Sequence, residues 1–130
     1  MKINSKIAAA VLAGFAIGII GTVAIRAQQT KTAPGYVVAE VEVHDLDAMK
    51  QYGAKVPDTL APFDHHYVVL SNKIQALEGD PPKGGIVIIA FDSVEKAREW
   101  YDSPAYAAVR PIRQGAAKSR IFIVEGLPPE

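Results

Sequence analysis

The chain has 130 residues, carries 14 Lys and Arg against 14 Asp and Glu for no formal net charge at pH 7, and contains no cysteine. The lack of cysteine excludes a disulfide framework, a thiol nucleophile and a zinc-thiolate site. The balanced charge removes the electrostatic case for binding nucleic acid, which relies on clustered Lys and Arg.

Lys2 and Lys6 precede an uncharged run from Ile7 to Ile25, 19 residues rich in Ala, Val, Ile and Gly. A cationic start before an apolar core is the pattern of a secretory signal peptide. About 20 apolar residues also suffice to cross a bilayer as a helix. Residues 1–27 are therefore read as a signal peptide or membrane anchor, with cleavage after Ala24 or Ala27 preferred. Because the positive charges lie first, a retained segment would leave its N-terminus in the cytoplasm and the remainder outside. The expected location is exported, periplasmic or extracellular, with membrane contact only if the segment is kept. Ala10, Gly14, Gly18 and Thr22 recur every four residues, a stripe that lets transmembrane helices pack closely. Ala- and Gly-rich signal cores produce the same stripe, and that reading is preferred.

Residues 28–35 turn polar and read as a linker. The remaining 36–127 suffice for one domain with a modest core. Loss of Lys2, Lys6 and Arg26 with the leader leaves 11 basic against 14 acidic side chains, a net charge of −3.

Tyr36 to His44 alternates, with Val37, Ala39, Val41 and Val43 on one face, and predicts a strand. Asp45 is placed to cap a helix in which Leu46, Met49, Tyr52 or Gly53, and Val56 recur at helical spacing up to Pro57 and Pro62. His66 to Leu70 and Ile74 to Leu77 flank the turn-prone Ser71-Asn72, predicting a hairpin or a single bent strand. Residues 79–85 are a Gly- and Pro-rich loop. Gly85 to Phe91 is apolar on both faces, as a strand inside the sheet must be. Ser93 caps a helix carrying Val94, Ala97, Trp100 and Tyr101. Ser103-Pro104 ends it and starts another. Arg110-Pro111 predicts a further interruption, and Arg120 to Glu125 is the last strand. Two strand-helix-strand halves predict an α+β sandwich of ferredoxin-like type with its helices on one sheet face. Strands apolar on both sides need a second cover, and a second copy of the sheet supplies it, predicting a homodimer.

The segment 100–113 concentrates the candidate chemistry. Tyr101, Ser103, Tyr106, Arg110 and Arg113 are the candidate ligand-binding residues. Two arginines three apart on a helix can grip a carboxylate or phosphate in forked fashion. The alternative is an ion pair with Asp102, Glu99 or Asp45. Tyr101 and Tyr106 can donate hydrogen bonds at a pocket mouth, Ser103 is equally explained by helix capping, and Trp100 reads as core packing. Asp64, His65 and His66 are metal-ligand types, but adjacent strand residues point to opposite faces and cannot easily share an ion. No metal site and no cofactor is expected.

Gly35-Tyr36, Asp45, Tyr52, Leu77-Glu78-Gly79, the strand ending at Phe91, Ser93, Ala97, the run from Trp100 to Tyr106, Arg110, Arg113 and Val124-Glu125-Gly126 together resemble the domain of unknown function 1330 family. That family lies within the dimeric α+β barrel superfamily, and the resemblance spans residues 35–127. It implies a ferredoxin-like fold, dimerisation through sheet faces and a pocket between sheet and helices. It implies no established reaction, although the superfamily includes cofactor-free monooxygenases and haem enzymes. Asp64-His65 stands where many members have a glycine pair, Leu70 where a basic residue is common, and Ala90 where an acid often precedes the phenylalanine. A proton transfer that used that acid is not open to this chain. Two functions are expected: a dimeric module binding a small, partly apolar, anionic molecule, or a cofactor-independent enzyme with Tyr or His as acid or base.

Overall fold

The computed structural model describes residues 32–130, and Ala33–Pro128 form a compact unit. The apolar run at 7–25, and with it the signal or anchor reading, lies outside the described residues. Among the described residues no helix is long and apolar enough to cross a membrane.

The elements in chain order are β1 (Gly35–Val43), α1 (Leu46–Leu60), β2 (His65–Ser71), β3 (Gly85–Phe91), α2 (Val94–Asp102), α3 (Pro104–Ala116) and β4 (Ala117–Glu125). The four strands form one antiparallel sheet in the order β2-β3-β1-β4. This is the ferredoxin-like α+β arrangement expected from the sequence, and β3 lies inside the sheet as its two-sided apolar character requires.

Strand alternation divides the sheet into two faces. Val37 pairs with Ile89 and Ile123, and Ala39 with Val87 and Ile121. This set packs under the helices, against a core that includes Val56, Leu60, Phe91, Ala97, Trp100 and Val109. Each fully buried side chain of this size contributes roughly 1.5–3 kcal/mol. The intervening residues form the open face, where Val38 pairs with Ile88 and Phe122, and Tyr36 with Val124. Phe122 and Val124 are 42% and 44% exposed there.

Side-chain caps start the helices. The Asp45 carboxylate accepts from the Ala48 amide at 3.1 Å, and the Ser93 hydroxyl accepts from the Lys96 amide at 3.1 Å. Each satisfies an amide that the first helical turn leaves without an internal partner. Ser103 serves two helices at once. Its hydroxyl donates to the Trp100 carbonyl at 2.7 Å, closing α2, and accepts from the Tyr106 amide at 3.2 Å, opening α3.

Two sequence expectations are corrected. Ile74–Leu77 is not a strand, and Leu77 is 89% exposed. Both sides of β3 are already taken, by β2 and by β1, so this segment belongs to the connection between β2 and β3. Gly84 in that connection has φ +80°, and a Cβ there would lie 2.1 Å from the Val41 carbonyl oxygen, so only glycine fits. The helix also does not break at Arg110-Pro111, because α3 runs through Pro111 to Ala116. Pro111 and Ala107, whose carbonyl loses its partner, both lie on the exposed side, where water can replace the missing amide. Pro57 and Gly53 repeat this arrangement in α1.

Candidate functional site

A cleft of about 1090 Å³ opens between the covered sheet face and the helices α1 and α3. Its walls are mostly aliphatic, with Val37, Ala39, Val56, Val87, Ile89 and Ile121 among them. Among its polar side chains, Tyr52 of α1, Tyr106 and Arg113 of α3, and Tyr67 of β2 interact with one another, and Ser71, Asn72 and Lys73 line it as well.

These side chains converge because their elements hold them. Tyr52 lies on the packed stripe of α1 between Met49 and Val56. Its hydroxyl is 2.7 Å from that of Tyr106, and their rings meet edge to face with centroids 6.4 Å apart. Trp100 fixes Tyr106 from behind, with centroids 4.2 Å apart, and stacks on Phe91 at 5.6 Å. The Trp100 indole donates to the Thr59 hydroxyl at 3.0 Å, and Thr59 donates to the Val56 carbonyl at 2.7 Å. This buried relay joins α2 to α1 and leaves neither polar group unsatisfied.

Arg113 is the exceptional residue. It is 5% exposed, and its Nε has no hydrogen-bond partner among the described residues. No ion pair among the described residues involves it. Burial works to lower its pKa, but the phenols of Tyr106 and Tyr52 oppose this and the net direction is upward, so the guanidinium stays charged. Burial pushes the Tyr52 phenol above its ordinary 10.0, with Tyr106 adding to the rise and Arg113 opposing it. Tyr67 is raised too, by burial first and then by Tyr106. At neutral pH the site therefore holds one buried cation beside protonated Tyr52 and Tyr67.

Of the residues singled out in the sequence, Tyr101, Tyr106 and Arg113 line the cleft, while Ser103 and Arg110 do not. Ser103 is occupied by its two caps. The Arg110 guanidinium lies 4.6 Å from the Tyr101 ring centroid and 5.7 Å from that of Tyr106, a cation–π arrangement. The two arginines thus meet different parts of the aromatic cluster. The acids considered as their partners are engaged elsewhere: Asp102 with Arg98 at 2.9 Å, Glu99 with Lys96 at 3.1 Å, and Asp45 at its cap.

Tyr52 and Tyr67 were not singled out as site residues. Their signal was a phenol within an apolar stripe, which core packing explains equally well. In β2 the register shifts between Tyr67 and Val69, so Tyr67 opposite Ile89 and Leu70 opposite Val87 share the covered face despite their odd spacing. His65 pairs with Phe91 and His66 with Ala90, on opposite faces, and His65 Nδ1 lies 2.7 Å from the Phe63 carbonyl. No three His, Asp or Glu side chains among the described residues could together hold a metal ion.

Several solved structures share this architecture. The protein of unknown function RPA0582 from Rhodopseudomonas palustris superposes with a TM-score of 0.61 at 20% identity, covering 76% of this chain and 86% of its own. SnoaB, a cofactor-independent oxygenase from Streptomyces nogalater, gives 0.54 at 12% identity, covering 72% and 92%. A dimeric ferredoxin-like protein of unknown function from Thermobifida fusca YX gives 0.51 at 15%, covering 72% and 92%. At these identities the likeness is one of fold. Among curated proteins none matches the chain. The model of the domain of unknown function DUF1330 matches residues 34–127, the whole sheet with its three helices, and the chain belongs to that family.

Proposed function

We propose that this domain binds a small anionic molecule in the cleft, with Arg113 as its counter-ion and Tyr52, Tyr67 and Tyr106 as hydrogen-bonding neighbours. The supporting observation is a buried guanidinium with no carboxylate partner and an unpaired Nε at an otherwise apolar cleft. A buried charge is costly unless compensated, and an anionic ligand compensates it. Calorimetric titration with a broad set of organic carboxylates, phosphates and sulfonates tests the reading. Saturable binding that Arg113→Gln abolishes is expected. Equal binding by the variant, or none by the parent protein, overturns it.

The same reading includes a homodimer, with the open face carrying Val38, Ile88, Phe122 and Val124 meeting its copy; the Thermobifida fusca protein of this fold is dimeric. Sedimentation of the parent chain and of Phe122→Asp tests this, and a monomeric parent rejects it. Export through residues 1–27 rests on the charge pattern of the sequence. A reporter fused after Glu130 that is active only in the cytoplasm would exclude it.

The phenol pair favours a second reading, a cofactor-independent enzyme in which a tyrosine acts as the acid; SnoaB, of the same fold, is a cofactor-independent oxygenase. Burial raises the Tyr52 pKa, so its hydroxyl is protonated at neutral pH and can offer a hydrogen bond to developing negative charge, although it is a weaker acid than a free phenol. Turnover that survives Tyr52→Phe and Tyr106→Phe unchanged would discard this role.

A further inference from the structure

The cleft is polarised, and its polarity specifies the ligand more closely than charge alone. Among its lining residues Leu46 and Leu70 are 62% and 72% exposed, while Tyr106 and Arg113 are 1% and 5% exposed. Its walls are mostly aliphatic. The cleft volume of about 1090 Å³ slightly exceeds the roughly 300–1,000 Å³ typical of pockets that enclose drug-sized ligands. Its charged lining residues are Arg113, buried, and Lys73, exposed. No carboxylate lines it.

Two features limit the buried anion to a single charge. Arg113 is the one buried cation among the described lining residues. It also lies in the last turn of α3, where the helix carries partial negative charge. That field stabilises the guanidinium and opposes further negative charge beside it, which a phosphate dianion would bring. The guanidinium is a planar fork that matches a planar carboxylate; its Nε is buried and unpaired, and the Tyr106 and Tyr52 phenols bond to the group.

Resting on the anion-binding reading above, we infer that the ligand is an amphipathic monocarboxylate. It enters carboxylate first, so that the head meets Arg113 and the apolar body lies along Val37, Val87, Ile89 and Ile121 toward Leu70. Recognition needs both parts: the head compensates the buried cation and the body replaces water on the aliphatic walls.

Four probes test this on the full chain by calorimetry: 2-naphthoate, 2-naphthamide, 2-naphthyl phosphate and acetate. Naphthoate should bind about tenfold or more tightly than each of the others. Arg113→Gln should weaken naphthoate by about tenfold or more and leave naphthamide unchanged. Arg113→Lys, which keeps the charge but loses the fork, should recover only part of the loss. Melting curves establish that each variant is folded. Tighter binding of naphthyl phosphate overturns the monocarboxylate assignment but leaves the anion-binding reading standing. Equal binding of naphthoate and naphthamide overturns the assignment, because charge is then not read. Failure of all four probes overturns it as well. If the broader anion set fails too, the functional reading falls with it.

Discussion

Val37, Ile89 and Ile121 point under the helices, whereas Val38, Ile88 and Phe122 in the same three strands point away from them. Both faces are apolar. What separates them is the treatment of polar groups. Under the helices, Trp100, Thr59, Tyr52 and Tyr106 find partners in one another or in the backbone, whereas Arg113 Nε and Ser119 Oγ do not, and of these two residues Arg113 carries the charge. On the open face the polar contact is at the rim, where Arg120 pairs with Glu40 while remaining 73% exposed. Apolar surface by itself does not distinguish a ligand site from an assembly surface. What the covered face adds is Arg113, a buried charge with no carboxylate partner among the described residues.

The comparison breaks first at Trp100. Trp100→Ala removes the ring that packs on Phe91 and Tyr106 and strands the Thr59 relay, and should cost about 3–5 kcal/mol of folding free energy in urea titrations. A loss below about 1 kcal/mol would mean that the aromatic cluster is not part of the core.

Arg113 sharpens the contrast in the opposite direction. Arg113→Met keeps the length of the side chain and removes the charge. It should stabilise the ligand-free protein by about 1–3 kcal/mol, the cost of leaving a buried polar group unsatisfied. Destabilisation of that size would identify Arg113 as a structural clamp.

Tyr52 gives the covered face a pH signature. Its folded pKa lies above the ordinary 10.0, so the unfolded chain releases this proton first. The associated stability is complete below pH 10 and is lost as the pH rises beyond it, by up to about 1.4 kcal/mol per pH unit. Melts between pH 9 and about 11 should fall less steeply for Tyr52→Phe than for the parent protein. Identical slopes would mean that burial does not hold this proton.

The smallest effect belongs to the open face. Phe122→Thr should change the folding of the monomeric chain by no more than about 0.5 kcal/mol while weakening self-association. A loss of several kcal/mol measured at a concentration where the chain is monomeric would erase the distinction between the faces.

Local signals carried most of the fold. Alternation marked β1, a run apolar on both faces marked β3, and the side chains of Asp45, Ser93 and Ser103 marked the helix starts that the structure contains. Pro111 misled, because a proline breaks a helix by rule but is accommodated when the freed carbonyl faces water. The site was legible only in part. Tyr106 and Arg113 sit on one helix and can be read together, while the partner hydroxyl of Tyr106 belongs to Tyr52, 54 residues earlier. No periodicity records that pairing, which arises when α1 and α3 pack on the same sheet. Tyr67 was hidden by the shift in β2, since a simple alternation cannot place both Tyr67 and Leu70 on one side.

That shift makes the division of labour between the two faces a matter of counting. Val68 is the extra residue between Tyr67, opposite Ile89, and Val69, opposite Ile88. Deleting it would restore strict alternation and leave Tyr67 and Leu70 two apart, both still on the covered side, so the extra residue is what their odd spacing requires. Without such a bulge, one residue more or fewer would move the rest of the strand to the other face. The bulge therefore lets this strand gain or lose one codon without exchanging its pocket residues for surface residues.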